Sequence, residues 1–183
     1  MQGGPRSVLI AVADGAGGLV GGAHAADELL SLVRKSAPAL LVARAATAFR
    51  DLLLLADERV ASDPRAGETT GIVLVASNGC VVGASVGDSE AWVVTKDAVH
   101  ALTGRQSRRR LGTGTASPVT FEERFAHGKL VVATDGLFGS TDVARIAHVL
   151  RTNDVPNSPA ALVALVRLRG GGYADDVAVA VCG

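Results

Sequence analysis

The sequence has few aromatic residues, few cysteines and no excess of charge of either sign. Aromatic side chains make up only 3% of the 183 residues, so a folded core must be built mainly from Ala, Val and Leu. The 18 basic residues balance the 18 acidic ones, which argues against nucleic acid or an anionic membrane as a partner bound through bulk charge. A composition of 48% hydrophobic and 20% charged residues is typical of a globular protein.

The chain also lacks the cysteine pattern of a disulfide scaffold and the apolar run of a membrane protein. Its two cysteines, Cys80 and Cys182, lie far apart, and neither has another Cys or a His at metal-ligand spacing. We therefore expect two buried thiols, and neither a disulfide framework nor a zinc site. Charged residues interrupt every apolar segment before it reaches membrane-spanning length. We expect a cytoplasmic protein with a single domain over residues 1–183.

Carboxylates stand at the ends of four separate apolar segments. They are Asp14, Asp88, Asp135 and the adjacent pair Asp175-Asp176. Glycine follows the first of them at Gly15 and the third at Gly136, where a backbone without Cβ can come close to a ligand. A lone Asp-Gly pair after a strand is most often a turn. Several such ends together predict an oxygen-lined site for hard cations.

The periodicity of apolar residues predicts an α+β protein with antiparallel sheets. Helical spacing occurs over residues 25–35, about 39–61, 141–151 and 159–168, and Pro38 is interpreted as a helix break or a first helical position. Strands are predicted at 8–13, 69–77, 80–87, 90–95, 98–102, 119–125, 129–134 and 176–182. Asn78-Gly79 is the strongest hairpin pattern among the turns. Short turns between these strands favour antiparallel pairing over βαβ units.

Four motifs in order resemble the PP2C (PPM) family of metal-dependent Ser/Thr protein phosphatases. They are DGAGG at 14–18, TTGIVLVAS with GDSEAW at 69–92, ATDGLF at 133–138 and ADDVAVAV at 174–181, and together they cover nearly the whole chain. The resemblance implies a PP2C-like β-sandwich of two antiparallel sheets flanked by helix pairs, in the order α-β-β-α. It also implies hydrolysis of phosphoserine and phosphothreonine by a metal-activated water.

The same resemblance assigns roles to individual residues. Asp14 would bridge two Mn²⁺ or Mg²⁺ ions, and Gly15 would bind one of them through its carbonyl. Asp135 and Asp175 would hold the first metal, and Asp88 with Asp135 would form a weaker third site. The implied catalytic residues are therefore Asp14, Asp135 and Asp175.

The chain also departs from the family pattern, as a minimal bacterial-type member would. Only thirteen residues precede Asp14, and they contain no R-x-x-N-E-D motif, which in the family supplies a phosphate-binding Arg and an acidic group for the second metal. The flap segment between GDSE and ATDG is largely missing. Its short remainder carries a basic run, 105–110, that is either a solvated loop or a surface for phosphate. Arg108 and Arg109 are the candidate substrate-binding residues of this run.

Three hypotheses on function follow, with the oligomeric state left open. The first is a phosphatase acting in signal transduction on a phosphorylated protein, such as a Ser/Thr kinase or its target. The second is a catalytically impaired pseudo-phosphatase that binds phosphoproteins or regulates them. The third is an assembly subunit whose bare sheet edge pairs with another chain. A phosphate-cradling nucleotide loop is a weaker interpretation of DGAGG, since the spacing fits neither GxGxxG nor GxxxxGK[ST].

Overall fold

The computed structural model describes residues 7–16, 20–103, 109–125 and 127–183. Its elements in chain order are β1 (Ser7–Val12), α1 (Gly22–Val42), α2 (Thr47–Ser62), β2 (Gly71–Ser77), β3 (Cys80–Val86), β4 (Glu90–Val94), β5 (Val99–Ala101), β6 (Val119–Arg124), β7 (Lys129–Ala133), α3 (Asp135–Phe138), α4 (Val143–Thr152), α5 (Ser158–Leu165) and β8 (Val179–Cys182). Helices and strands alternate in blocks, as in the predicted α+β class.

The strands form two four-stranded sheets in which every pairing is antiparallel. One sheet has the order β1-β2-β3-β6 and the other the order β5-β4-β7-β8. The two sheets pack face to face, and a helix pair covers the outer face of each. The predicted fold class, a sandwich of two antiparallel sheets between helix pairs, is therefore confirmed.

Apolar side chains fill three layers. Helices α1 and α2 bury Leu29 and Phe49 against the first sheet. The space between the sheets holds alternate residues of the paired strands, among them Leu74 and Leu130. Helices α4 and α5 cover the second sheet with a cluster that includes Ile146. Burying each of these side chains stabilises the fold by about 1.5–3 kcal/mol, so the strand ends are held on a rigid frame.

The hairpin predicted at Asn78-Gly79 is confirmed. Both residues have positive φ, 50° and 71°, which a two-residue turn of type I′ requires. The turn pairs Ser77 with Cys80 and sets the register of β2 against β3.

The interpretation of Pro38 as a helix break or a first helical position is wrong. Helix α1 continues through Pro38 to Val42, and α2 begins only at Thr47. Pro38 is exposed, and so is Arg34, whose carbonyl loses its helical donor, so water can replace that hydrogen bond. Leu40, two residues further on, is buried in the core and holds the helix end in place.

The strands predicted at 119–125 and 129–134 are confirmed as β6 and β7, which lie in different sheets. The boundary of one strand differs from its prediction. The last strand begins at Val179 rather than at 176, because backbone and side-chain bonds to Thr134 hold residues 176–178 in an irregular segment.

Two expectations remain, one on the burial of the cysteines and one on membrane-spanning segments. Cys80 and Cys182 are free thiols, and both are half-buried rather than fully buried as expected. No helix in the described part of the chain is long and apolar enough to cross a membrane.

Candidate functional site

Asp14 is held at the end of β1 by the chain that enters β2. The Asp14 N–H donates to the Thr70 hydroxyl at 3.1 Å, and the Thr70 N–H donates to the Asp14 carbonyl at 2.8 Å. The Thr70 hydroxyl also lies 2.7 Å from the hydroxyl of Ser89, and both of these side chains are buried. Because Asp88 immediately precedes Ser89, this contact brings Asp88 toward Asp14.

Asp135 is positioned in the second sheet, where β7 ends and the short helix α3 begins. The preceding residue, Thr134, is buried, and its hydroxyl donates to the Asp176 carbonyl at 3.1 Å while accepting from the Ala178 N–H at 3.1 Å. These bonds fix the segment that carries Asp175 and Asp176 beside the end of β7.

The four strand ends meet around one small cleft of about 90 Å³. Its lining residues are Asp14, Gly15, Ala16, Thr70, Asp88, Arg110, Asp135, Asp175 and Asp176. All five residues that the family resemblance assigned to metal binding therefore lie in one place, although they come from both sheets. Asp176 joins them as a fifth carboxylate, and Arg110 as a cation.

The carboxylates influence one another electrostatically. Burial, followed by the charges of Asp135, Asp175 and Asp88 and a hydrogen bond with Asp135, raises the pKa of Asp14 to about 6. Burial and the charges of Asp88 and Asp175 also raise the pKa of Asp135. Without a cation, these two carboxyls therefore hold their protons more tightly than an isolated aspartate does.

The donor chemistry of the cleft suits a hard divalent cation. The described lining residues offer carboxylate and backbone oxygens, and none of them carries sulfur or imidazole. Mg²⁺ and Mn²⁺ prefer such oxygen ligands. With the side chains as they stand, no group of three or more His, Cys, Asp or Glu in the described ranges is arranged as a formed metal site. Binding a cation therefore requires these side chains to rearrange, and it releases protons from the carboxyls.

Of the two predicted substrate-binding arginines, the structure describes Arg109, which does not line this cleft. Arg109 is exposed, its guanidinium donates to the Thr115 carbonyl at 3.4 Å, and it is not among the lining residues. Arg108 lies outside the described residues. The arginine that lines the cleft is Arg110, whose guanidinium is 3.4 Å from a carboxylate oxygen of Asp88. Charge alone could not separate these three arginines, but the apolar Leu111 next to Arg110 marks where the run rejoins the core.

A second residue that the sequence did not reveal is Asp57 on α2, which is 4% exposed. One of its carboxylate oxygens accepts hydrogen bonds from the N–H groups of Gly112, Thr113 and Gly114 at 2.7–3.1 Å. The other accepts from the Ala116 N–H at 2.9 Å. Four backbone donors on one carboxylate fix the loop that follows Arg110, which ties helix α2 to the cleft.

A wider groove of about 610 Å³ adjoins the cleft. Four of its lining residues are shared with the cleft: Asp14, Gly15, Ala16 and Asp176. The other described lining residues come from the ends of β1 and β7, the start of α1 and the segment before β8, and most of them are small. The groove provides room for a substrate larger than a phosphate ion beside the carboxylates.

Comparison with solved structures shows the same fold in bacterial phosphatases. A bacterial serine phosphatase is 18% identical, with a TM-score of 0.80 over 94% of this chain and 84% of that chain. The catalytic domain of the serine/threonine phosphatase PstP, solved in complex with two manganese ions, is 19% identical, with a TM-score of 0.81 over 97% of this chain and 89% of that one. The Mycobacterium tuberculosis phosphatase PstP/Ppp is 18% identical, with a TM-score of 0.79 and the same coverage, 97% and 89%.

Sequence comparison with protein-family models and with curated proteins gave no match. At this level of identity the structural likeness establishes the fold. The function must be argued from the site.

Proposed function

We propose that this protein is a metal-dependent phosphatase of the PP2C type that hydrolyses phosphoserine and phosphothreonine in proteins. The observation that carries the proposal is the convergence of aspartates from four strand ends on one cleft, in the fold of solved serine/threonine phosphatases. The reaction adds water to the phosphate ester. A bond forms between the water oxygen and phosphorus, the bond to the serine or threonine oxygen breaks, and that oxygen takes a proton.

Within this proposal, Asp14, the Gly15 carbonyl, Asp135 and Asp175 would hold two Mn²⁺ or Mg²⁺ ions, and Asp88 would contribute to a weaker third site. Such ions, when bound, lower the pKa of a water and offset negative charge on the phosphate. The chain's own contribution is positioning. Thr70 orients the backbone of Asp14, and Thr134 holds the segment of Asp175 beside Asp135.

The shape of the site supports a phosphorylated protein segment as substrate. The carboxylate cleft is small, and the adjoining groove is open and lined by short side chains and backbone. A site that recognises a small metabolite is usually a more enclosed pocket with apolar walls. An exposed chain carrying a phosphorylated residue, on a kinase or on a kinase target, fits this groove better.

Two observations favour a second candidate, a catalytically impaired module that binds phosphoproteins. The side chains are not arranged as a formed metal site in the described structure, and Arg110 contacts Asp88, one of the proposed ligands. A module that binds phosphate without turnover would tolerate both features. The presence of five aspartates in the cleft favours the enzyme, because like charges so close together destabilise the fold unless cations offset them.

The test is hydrolysis of a small aryl phosphate and of a phosphothreonine peptide with Mn²⁺, with Mg²⁺ and with EDTA. We expect turnover that requires the metal and disappears in Asp135→Asn. The matched control is Asp51→Asn, which removes an exposed carboxylate on α2 that pairs only with its neighbour Arg50 among the described contacts. Metal binding without turnover would support the second candidate, and full turnover in EDTA would contradict the site assignment.

A further inference from the structure

Arg110 is the one positively charged residue among the described residues that line the cleft, and it faces five aspartates. In the sequence it belongs to a run of basic residues, from which charge alone does not distinguish it. Its side chain is 33% exposed, against 37% for its partner Asp88. The guanidinium is therefore partly exposed, and it lines the cleft where solvent can reach it.

The backbone at Arg110 is fixed by contacts of the residues that follow it. Leu111 is fully buried and exchanges two hydrogen bonds with Thr69, of 2.9 and 3.1 Å. The Thr113 hydroxyl donates to the Arg110 carbonyl at 3.2 Å. The next residues are held by the carboxylate of Asp57. An arginine on such a support presents its guanidinium at a defined place, with less entropy to lose when it binds a ligand.

The contact between Arg110 and Asp88 is weak compared with another arginine pair in the same protein. One nitrogen of Arg110 lies 3.4 Å from one oxygen of Asp88. In contrast, Arg65 donates from two nitrogens to both oxygens of Asp63, at 3.0 and 2.8 Å. The Asp88 contact leaves most of the donors of Arg110 available for a second anion.

We infer that Arg110 binds the phosphoryl group of the substrate, and inorganic phosphate as product, and that it exchanges Asp88 for the phosphate oxygens when it does so. The planar guanidinium matches a phosphate with two parallel N–H donors, which Asp88 does not satisfy at present. The inference rests on the proposed phosphatase function, since it assigns the phosphate subsite of that site.

The experiment makes two kinds of measurement on Mg²⁺-loaded protein. Titration calorimetry gives the affinity for inorganic phosphate, and steady-state kinetics gives the KM and kcat for an aryl phosphate. The variants are Arg110→Ala and Arg110→Lys, with Arg50→Ala as the control, because Arg50 is an exposed arginine that pairs with Asp51 away from the cleft. Mg²⁺ stoichiometry is measured in each variant by the same calorimetry.

For Arg110→Ala we expect the Kd for phosphate and the KM to rise together by about 10- to 100-fold, because charge-assisted hydrogen bonds to one anion are lost. The Kd for phosphate and the KM of Arg110→Lys should lie between those of wild type and Arg110→Ala. Lysine keeps the positive charge but lacks the two parallel N–H donors of a guanidinium. Mg²⁺ stoichiometry should stay as in wild type, and Arg50→Ala should match wild type throughout.

Each contrary result has a separate meaning. Unchanged phosphate affinity and KM in Arg110→Ala would overturn the inference and leave the proposed function intact. An additional Mg²⁺ bound in Arg110→Ala, without loss of phosphate affinity, would also overturn it and make Arg110 a substitute for a cation at Asp88. If wild type shows no turnover but binds phosphate through Arg110, the inference stands and hydrolysis is refuted.

Discussion

Gly136 lies against the backbone of Asp176, so that a Cβ on Gly136 would stand 2.3 Å from the Asp176 carbonyl oxygen. This approach brings the start of α3, which carries Asp135, against the segment that carries Asp175. Gly136 is not among the glycines with positive φ. Its role is therefore the close contact between two chain segments rather than an unusual backbone conformation.

Gly136→Ala should separate these segments and weaken metal binding. Because the clash is with backbone, the Asp176 segment must shift, and we expect a loss of about 1–3 kcal/mol in the free energy of unfolding together with a higher Kd for Mn²⁺. Calorimetry and chemical denaturation measure both. Gly170→Ala is the matched control, since a Cβ at Gly170 meets no atom within 4 Å. Equal behaviour of the two variants would mean that the contact does not position the carboxylates.

The pKa of Asp14 predicts how the metal-free protein responds to pH. In the folded state this pKa is raised to about 6, above the unfolded value of 3.8, so the folded state binds the proton more tightly. The stabilisation from that proton is present below pH 4 and is lost as pH rises toward 6 and above. The full shift corresponds to about 3 kcal/mol, and solvent around a partly exposed carboxyl reduces the expected loss to about 1–2 kcal/mol.

Urea denaturation in EDTA at a series of pH values tests this expectation. The wild type should lose stability relative to Asp14→Asn between pH 4 and pH 7, because the amide carries no charge at either pH. If the two pH profiles run parallel, Asp14 does not hold the raised pKa.

Asp57→Ala should destabilise the protein and disturb the cleft at the same time. The substitution leaves four backbone N–H groups without their carboxylate partner, and water can reach some of them, so we expect a loss of about 2–4 kcal/mol. KM for an aryl phosphate should also rise, since the loop after Arg110 loses its support. Asp51→Ala on the exposed face of the same helix is the control, with a change within about 0.5 kcal/mol. A stable Asp57→Ala protein with unchanged KM would refute the positioning role.

Thr70→Val tests the link between β1 and the Asp88 loop. Valine keeps the shape of threonine but cannot accept from the Asp14 N–H or pair with Ser89. We expect a loss of about 1–3 kcal/mol and weaker Mn²⁺ binding. Thr70→Ser, which keeps the hydroxyl, should restore most of both. Equal Mn²⁺ affinity in Thr70→Val and wild type would show that this hydroxyl has no part in placing Asp14.

Local pattern determined much of the fold. The two apolar segments β2 and β3 on either side of Asn78-Gly79 specify a hairpin. Both turn residues tolerate positive φ, and burial of the apolar residues requires one register. The helix pairs and the antiparallel class follow from periodicity in the same way. The position of each aspartate at a strand end is also visible in the sequence, because an apolar segment stops there.

Longer-range effects decided the remaining features. Pro38 stays inside α1 because its face is exposed and Leu40 is anchored in the core, and no local rule contains that information. The convergence of Asp14 and Asp135 depends on the packing of two sheets that share no strand.

The roles of Asp57 and Arg110 likewise appear only after folding. Asp57 accepts from backbone groups 55–59 positions away, and an isolated aspartate in a helix does not reveal such partners. Arg110 lines the cleft, whereas Arg109 donates to the Thr115 carbonyl and does not line it. The sequence by itself determined the antiparallel strands and the aspartates that stand near their ends, because local apolar patterns stop there. The tertiary structure alone decided which of them meet, because contacts between distant segments depend on how whole layers pack.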